Sequence, residues 1–388
     1  MKKNLKLNRR LKILIAPASF KGSMSNMKAS AVMKKAAMTV FPEAKITEFP
    51  LADGGEGTLN VIRKITGATI KYSVVKDPLM RKRRAAWLKK RDTAFIEMAQ
   101  AAGLILLKDR EKNPMETTTY GVGELLGKAA LSGARQIFLG VGGSATTDAG
   151  IGALTALGVK FHGENGSLIY PGAGKDLSAI FSIDSSSLLP EILKCRINVL
   201  SDVQNPLVGK KGAAFVYGPQ KGAEARTVEI LDQGLRNCAR KMETVSGRHL
   251  SSMPGAGAAG GIIAGLASFL NVKVLSGIDT IMEMGMFEKR LKEADIVLTG
   301  EGRIDKQTFC GKSLGKVFAL AEKHGVLTIA FAGSIDEAMC KKEFKKAVLT
   351  SILPGPMSLQ EAMKNAQENL YTSTCRILSS YMTYQCSN

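Results

Sequence analysis

Two glycine-rich stretches of this sequence carry carboxylates at a spacing suited to ligand binding. Asp53 and Glu56 lie in DGGEGT, and Glu301, Arg303 and Asp305 lie in GEGRID. We predict that both stretches are loops, in which glycines let a ligand approach the backbone closely. Either stretch alone could be an ordinary turn. Together they favour Mg²⁺ and phosphate, because Mg²⁺ prefers a few carboxylates, water and phosphate oxygens.

A lysine precedes a predicted helix start. In ASFKGS, Lys21 follows the apolar run KILIAP and precedes a helical pattern for which Ser23 or Ser25 is the expected cap. Free backbone N–H groups and the helix dipole favour an anion there, and the lysine ammonium adds a positive charge. This loop therefore predicts a site for a phosphate or a carboxylate.

The middle of the chain offers further binding groups. GGSATTD presents backbone N–H groups, Ser144 and Thr146 to phosphate oxygens, as other glycine loops do. Asp202 and Asn205 follow the predicted strand INVLSD and could hold substrate hydroxyls. Lys221, in YGPQKG, is either a phosphate contact or a surface lysine, and the sequence leaves both alternatives open.

These groups sit on a repeated arrangement of an apolar strand followed by a polar loop that contains glycine. The segments are LKILIAPASFKGS, KITEFPLADGGEGT, RQIFLGVGGSATTDAG, ADIVLTGEGRID and LTIAFAGSID. Helical patterns follow most of them, which predicts parallel sheets flanked by helices and ligands at the carboxyl ends of the strands. The less regular middle, with a predicted hairpin at 83–98, is consistent with an inserted domain.

With 45% hydrophobic and 23% charged residues, the composition is that of a globular protein that buries a large core. A length of 388 residues predicts two domains rather than one. Six cysteines without a CxxC motif are typical of reduced intracellular thiols. The first apolar run, about six residues, is shorter than the roughly 7–15 that a secretion signal needs. No stretch reaches the ~20 apolar residues of a membrane span. We therefore predict a cytoplasmic protein without a membrane partner.

The formal net charge of +20 raises nucleic-acid binding as an alternative. Residues 76–92 hold eight Lys or Arg and two acidic residues. The alternation around Ala85 and Trp87, with a turn at Arg91-Asp92, favours a solvated hairpin face instead. Only 6% of the residues are aromatic, so stacking platforms are few and we expect no nucleic-acid partner. A second alternative, a sugar-acid sensor without catalysis, would lose the metal-binding acids that this chain retains.

Taken together, these motifs resemble the bacterial glycerate kinases that phosphorylate glycerate at its 2-hydroxyl. The resemblance runs from about Lys12 to about Leu378. Its motifs are APASFKGS (16–23), PLADGGEGT (50–58), TTTYGVGELL (117–126), GGSAT (142–146), DVQNPLVG (202–209), YGPQKGA (217–223), PGAGAAGG (254–261), TGEGRIDKQTFCGK (299–312) and PGPMSLQEAM (354–363).

The resemblance implies an α/β fold of two domains with the active site in the cleft. A discontinuous Rossmann-like or flavodoxin-like parallel-sheet domain would comprise 1–76 and 283–388, with an inserted α/β domain at 77–282. It also implies ATP and Mg²⁺ as cofactors, and phosphorylation of D-glycerate to 2-phosphoglycerate. A kinase for another small hydroxy acid, or for the 3-hydroxyl of glycerate, is the alternative. The expected partners are glycerate and ATP, and a homodimer is left open.

The expected roles follow from the needs of phosphoryl transfer, which are positioning and charge neutralisation. Lys21 and Arg303 are expected to bind the transferring phosphoryl group and the substrate carboxylate, in an order that the sequence leaves open. The expected catalytic residues are Lys21, Asp53, Glu56, Arg303 and Asp305, and the candidate metal ligands are Asp53, Glu301 and Asp305; which carboxylate is the base is left open. The expected substrate- or nucleotide-binding residues are Ser19, Gly22, Ser23, Gly54, Gly55, Gly142, Gly143, Ser144, Thr146, Asp202, Asn205, Lys221, Gly300 and Gly302.

Overall fold

The computed structural model describes residues 10–251, 253–309, 313–336, 339 and 346–387. The chain divides into two compact units. The first unit comprises Met1–Ala52 and Ile281–Asn388, and the second unit comprises Asp53–Thr280. The mixed α/β architecture with parallel sheets is the one predicted.

The strands alternate with helices along much of the described chain. The strands are β1 (Lys12–Pro17), β2 (Lys45–Glu48), β3 (Thr69–Lys76), β4 (Lys82–Lys90), β5 (Thr93–Glu97), β6 (Gln136–Gly140), β7 (Lys160–His162), β8 (Leu168–Ile169), β9 (Ser182–Asp184), β10 (Arg196–Leu200), β11 (Asn271–Leu275), β12 (Ile296–Ile304), β13 (Leu327–Ile335) and β14 (Ala347–Ser351).

The helices range from one turn to 22 residues. They are α1 (Asn26–Val40), α2 (Thr58–Thr66), α3 (Ala99–Ala102), α4 (Tyr120–Leu131), α5 (Ile151–Ala156), α6 (Pro190–Leu193), α7 (Ala213–Tyr217), α8 (Ala225–Ser246), α9 (Ile262–Phe269), α10 (Gly277–Met284), α11 (Phe287–Lys292), α12 (Ser313–His324), α13 (Leu359–Lys364) and α14 (Ala366–Ser387). Short 3₁₀-helices cover Leu104–Leu106, Asp109–Glu111, Gly174–Ala179, Pro219–Lys221, Ala258–Gly261 and Lys306–Phe309. Within the described ranges, no helix is long and apolar enough to cross a membrane.

A five-stranded parallel sheet forms the centre of the first unit, in the order β14-β13-β12-β1-β2. Strand β1 after Lys12 and the first five residues of β12 are buried, as expected for strands covered on both faces. Helix α1 begins as predicted after Ser25, whose hydroxyl accepts the backbone N–H of Lys28 at 3.2 Å. The buried face of α1, including Ala29 and Met33, joins the same core as Leu370 of α14.

A six-stranded mixed sheet forms the centre of the second unit, in the order β11-β10-β6-β5-β4-β3. Strands β11, β10, β6 and β5 are parallel, whereas β4 and β3 run antiparallel to their neighbours. The predicted hairpin and its turn are present, because Lys90 pairs with Thr93 across Arg91, which has a φ of 54°. A small antiparallel sheet, β8-β7-β9, lies in the same unit.

The structure moves the first predicted domain boundary. Residues 53–76 were expected in the same domain as the chain termini, but they belong to the second unit, which begins at Asp53. The reason is that β3 pairs along its whole length with β4 and so extends the six-stranded sheet. The second boundary lies at Thr280 and Ile281, close to the predicted change at 282 and 283.

Candidate active site

The predicted site residues divide between the two units. The first unit holds the Lys21 loop and residues 300–305, and the second unit holds the remaining predicted residues. Asp53 and Glu56 were expected to share a domain with Glu301 and Asp305, and the structure places them in the other unit.

The GEGRID segment is a strand, not the predicted loop, as far as Ile304. Glu301 and Arg303 lie on β12 and pair in register with Ala332 and Ser334 of β13, and only Asp305 follows the strand. Because side chains alternate along a strand, Glu301 and Arg303 share one face near its carboxyl end. The guanidinium of Arg303, which is exposed, lies 3.8 Å from the Asp305 carboxylate.

Thr308 joins two of these acidic residues and was not predicted. Its hydroxyl donates to Glu301 Oε1 at 2.7 Å, and its backbone N–H donates to Asp305 Oδ1 at 3.2 Å. Thr308 is buried, so one fixed residue orients both carboxylates. Its only signal in the sequence is its position three residues after Asp305, a spacing at which hydroxyl and carboxylate groups often cap a turn. The motif residues 310–312 lie outside the described residues.

The pair Glu301 and Asp305 has the donor chemistry that Mg²⁺ requires. Within the described ranges, no group of three or more His, Cys, Asp or Glu side chains could hold a metal ion. Two carboxylates still fit Mg²⁺, which keeps several waters and combines one or two carboxylates with substrate phosphates. The third predicted ligand, Asp53, lies in the second unit.

The Lys21 loop packs closely against β12. A Cβ atom added at Gly302 would lie 3.3 Å from the Lys21 backbone nitrogen, so the glycine lets the loop approach the strand. Phe20 is buried and exchanges backbone hydrogen bonds with Met24, while the Lys21 side chain is exposed. Ser19 and Gly22 are also exposed, and the Ser23 hydroxyl donates to the Phe20 carbonyl at 3.0 Å.

Two of the backbone N–H groups at the start of α1 that were predicted to be free have side-chain partners. The Asn26 side chain accepts from the backbone of Met27 at 2.7 Å, and Ser25 accepts from Lys28. These side chains satisfy donors that were expected to bind an anion. In this loop, the exposed ammonium of Lys21 therefore remains as the candidate anion-binding group.

In the second unit, three strand-end segments meet at closely packed glycines. A Cβ at Gly54 would lie 2.6 Å from the Leu200 carbonyl at the end of β10, and one at Gly142 would lie 2.5 Å from the Gly55 Cα. The backbone N–H of Gly142 also donates to the Gly54 carbonyl at 3.1 Å. The 53–57 loop thus lies against the carboxyl ends of β6 and β10, where ligands bind in parallel sheets. Asp53 and Glu56 are exposed.

A buried carboxylate, Glu97, lies at the end of β5 and was not predicted. Its Oε1 accepts the backbone N–H of Leu59 at 2.9 Å, so it caps the start of α2. Burial raises the pKa of Glu97, and the charge of Glu56 adds to the rise. This residue links the 53–57 loop to the sheet. The feature of the sequence that could have indicated a role for Glu97 is its place as an acidic residue at the end of the apolar strand β5.

The GGSAT turn (142–146) differs from its prediction. Two of its backbone N–H groups have protein partners, since Gly142 donates to Gly54 and Ala145 donates to the Ala102 carbonyl at 2.8 Å. Thr146 is fully buried, so it does not offer its hydroxyl at the surface as expected. Gly143 is exposed, and the backbone of Ser144, which is largely buried, bridges to Gly103.

The DVQN loop follows β10 as predicted. Asp202 is exposed and its Oδ1 accepts the backbone N–H of Gly277 at 3.2 Å. The Asn205 amide holds the loop, donating to the Lys211 carbonyl at 2.8 Å and accepting from the Tyr217 hydroxyl at 2.8 Å. Asn205 therefore shapes this loop, whereas Asp202 is the residue with a side chain exposed for a ligand.

Lys221 is not a surface lysine, which was one of its two predicted alternatives. Only 1% of its surface is exposed, and its ammonium donates a hydrogen bond to the Thr146 carbonyl. Burial lowers the pKa of Lys221 to about 7, and the nearby charge of Asp148 opposes this shift. The structure thus places Lys221 beneath the GGSAT turn.

Several proteins similar to this chain are named glycerate kinases. Glycerate kinase of Halalkalibacterium halodurans is 44% identical over 92% of this chain and 95% of that protein. Glycerate 2-kinase of Escherichia coli K12 is 39% identical over 93% of this chain and 95% of that protein. A crystal structure from Salmonella typhimurium LT2, assigned as glycerate kinase 2, matches with a TM-score of 0.82 and 35% identity, covering 97% of this chain and all of that one.

The fold and these relatives define the protein as an enzyme of the kinase class. The family model described as the glycerate kinase family matches residues 13–382. The chain belongs to the glycerate kinase family. The roles of individual site residues stay predictions.

Proposed function

We propose that this protein transfers a phosphoryl group from ATP to the 2-hydroxyl of D-glycerate and releases 2-phosphoglycerate. The observation that carries the choice of hydroxyl is the similarity to the Escherichia coli protein named glycerate 2-kinase, 39% identical over 93% of this chain. Family membership across residues 13–382 supports glycerate as the substrate.

The first unit supplies charges of both signs. Lys21 and Arg303, both exposed, neutralise the phosphoryl group and the substrate carboxylate, and their assignment to these two anions stays open. Glu301 and Asp305, oriented by Thr308, would hold Mg²⁺. When bound, the ion neutralises phosphate charge and orients the phosphate oxygens.

The second unit supplies further acidic groups. Asp53, Glu56 and Asp202 are exposed at the carboxyl ends of the strands or in the loops beside them. A carboxylate that accepts the proton of the attacking hydroxyl must reach it within a hydrogen-bond distance. We assign this base to the predicted acidic residues as a group, Asp53, Glu56, Glu301 and Asp305. A cytoplasmic location is also proposed, and the free thiols of Cys195, Cys238 and Cys375 support it.

The test is an assay of the purified chain with ATP, magnesium and a panel of small hydroxy acids, with phosphorus NMR of the product. We expect D-glycerate to have the highest kcat/KM and 2-phosphoglycerate to be the product. A product phosphorylated at the 3-hydroxyl, or a faster reaction with another hydroxy acid, would replace the proposal with the alternative.

A variant tests the metal assignment. Asp305→Asn should raise the magnesium concentration needed for half-maximal activity and lower kcat. Asp109→Asn is the matched control, because that carboxylate is 98% exposed and lies outside the site. An unchanged magnesium requirement and rate would reassign Asp305 to a structural turn.

A further inference from the structure

Two oppositely charged residues are buried beneath the GGSAT turn and have no role in the reaction described so far. Asp148 is 0% exposed and Lys221 is 1% exposed, although charged side chains are almost never fully buried without partners. They come from separate segments of the second unit. Their burial calls for a reason, because each charge loses its hydration.

Asp148 ties together the starts of two helices. Its Oδ2 accepts both the backbone N–H and the hydroxyl of Thr119, each at 2.7 Å, and its Oδ1 accepts the backbone N–H of Gly150 at 3.1 Å. Thr119 precedes α4 and Gly150 precedes α5. Three donors on one carboxylate fix the backbone that follows the GGSAT turn.

Lys221 fixes the other side of this segment. Its ammonium donates to the carbonyl of Thr146, from a residue 75 positions later in the chain. The backbone at Gly260 lies against the same carbonyl, because a Cβ added there would be 2.0 Å from the Thr146 oxygen. The carbonyl is thus held between an ammonium group and a glycine backbone.

The threonine side chains at the end of the turn and directly after it do not provide this support. Over the described part of the chain, the buried hydroxyls of Thr146 and Thr147 have no hydrogen-bond partner. The turn is held through its backbone N–H and carbonyl groups and through Asp148 instead, with Thr117 donating to the Ala145 carbonyl at 2.9 Å. Lys221 and Asp148 therefore supply hydrogen bonds to this segment that the threonine hydroxyls do not supply.

We propose that Lys221 and Asp148 are positioning residues, which hold the exposed end of the GGSAT turn in the geometry that binds the substrates. This inference rests on the proposed function and on the prediction that this turn offers backbone N–H groups and Ser144 to phosphate oxygens. Lys221 does not contact phosphate in this view but acts through the Thr146 carbonyl. Asp148 acts through Thr119 and Gly150.

The test compares Lys221→Met, Asp148→Asn and the double variant, with Lys194→Met as control because Lys194 is exposed in the same unit. Each single variant leaves one buried charge without its opposite and should lower the melting temperature. The double variant removes both charges and should regain the part of that loss that comes from an unbalanced buried charge, whereas the hydrogen bond from Lys221 to the Thr146 carbonyl stays lost. Its kcat/KM should stay about a hundredfold below the wild type, the cost of a misplaced binding group.

The kinetic constants separate positioning from mere stability. A positioning role predicts a raised KM for at least one substrate in the double variant, whereas partial unfolding lowers the active fraction and leaves KM unchanged. Recovery of both stability and kcat/KM in the double variant would overturn the proposal, as would its failure to regain stability. The comparison uses whichever hydroxy acid the wild type phosphorylates fastest, so it is independent of the proposed substrate.

Discussion

Gly142 is the position at which a single methyl group should separate two predicted binding loops. An alanine Cβ there would lie 2.5 Å from the Gly55 Cα and 3.1 Å from the Gly55 nitrogen. The φ of Gly142 lies outside the left-handed region, so alanine is permitted by the backbone itself. The effect of Gly142→Ala is therefore steric, and it acts on the contact between the GGSAT turn and the 53–57 loop.

The expected magnitude follows from this distance. Ordinary van der Waals contact begins near 3.4 Å, and the obstacle is backbone that cannot rotate away, so the loops must move apart by roughly 1 Å. A displacement of about 1 Å at a reacting group lowers rates by about a hundredfold. Overpacking of this kind costs about 1–3 kcal/mol of unfolding free energy. We expect a folded enzyme with a severe loss of kcat/KM.

Steady-state kinetics and urea unfolding of the same preparation would measure both quantities. Gly355→Ala is the matched control, because a Cβ there meets nothing within 4 Å and its backbone has no unusual φ. If Gly142→Ala kept kcat/KM within about twofold of the wild type while losing stability, the two loops would not act together in binding.

Three further changes test the roles of Lys21, Thr308 and Glu97. Lys21→Ala should lower kcat severely with an unchanged melting temperature because the side chain is exposed; normal turnover with unchanged ATP affinity would contradict its role with phosphate. Thr308→Val removes the donor to Glu301 and should cost about 1–3 kcal/mol in urea unfolding and raise the magnesium requirement; a change in stability alone would make Thr308 purely structural. Burial raises the pKa of Glu97 in the folded protein above the value of 4.5 that the carboxyl has in the unfolded chain. The carboxyl's contribution to the unfolding free energy therefore falls as the pH rises from 4.5 through the pKa of the folded state. Glu97→Gln should remove that slope when urea unfolding is compared between about pH 5 and about pH 8, and an unchanged slope would assign it to other groups.

The strands and the first helix could be predicted because their signals are local. The apolar run of β1 and the spacing of buried residues on α1 are determined by neighbouring side chains, and Ser25 is the expected type of cap. The hairpin of β4 and β5 was also predicted, since Ala85 and Trp87 are buried two positions apart and its turn falls at Arg91.

The GEGRID segment shows where a local signal misleads. Its glycines indicate a loop, but Gly300 and Gly302 lie within strand β12. Glycine is needed at these positions because other groups approach the backbone closely. A Cβ at Gly300 would be 2.4 Å from the Phe331 carbonyl on the neighbouring strand. Glycine in a strand often marks such a close approach, and the neighbour responsible is distant in sequence.

The domain boundary could not be located for a similar reason. The loop of Asp53 follows the β2 segment, so local order assigns it to the first unit. Its actual unit is decided by pairing of β3 with β4 and by contact between Gly54 and the end of β10. Those contacts join segments separated by many residues, and periodicity contains no information about them.

Buried charges were the hardest feature to predict, and they matter most for the candidate site. A lone Lys or Glu in a sequence is ordinarily exposed, which is why Glu97 was passed over and why a surface position was one alternative for Lys221. Burial becomes tolerable only when partners satisfy the charge, and the partner of Lys221 is a carbonyl 75 residues away. Three-dimensional contacts therefore decide whether a charged residue binds substrate directly or holds the backbone that does so.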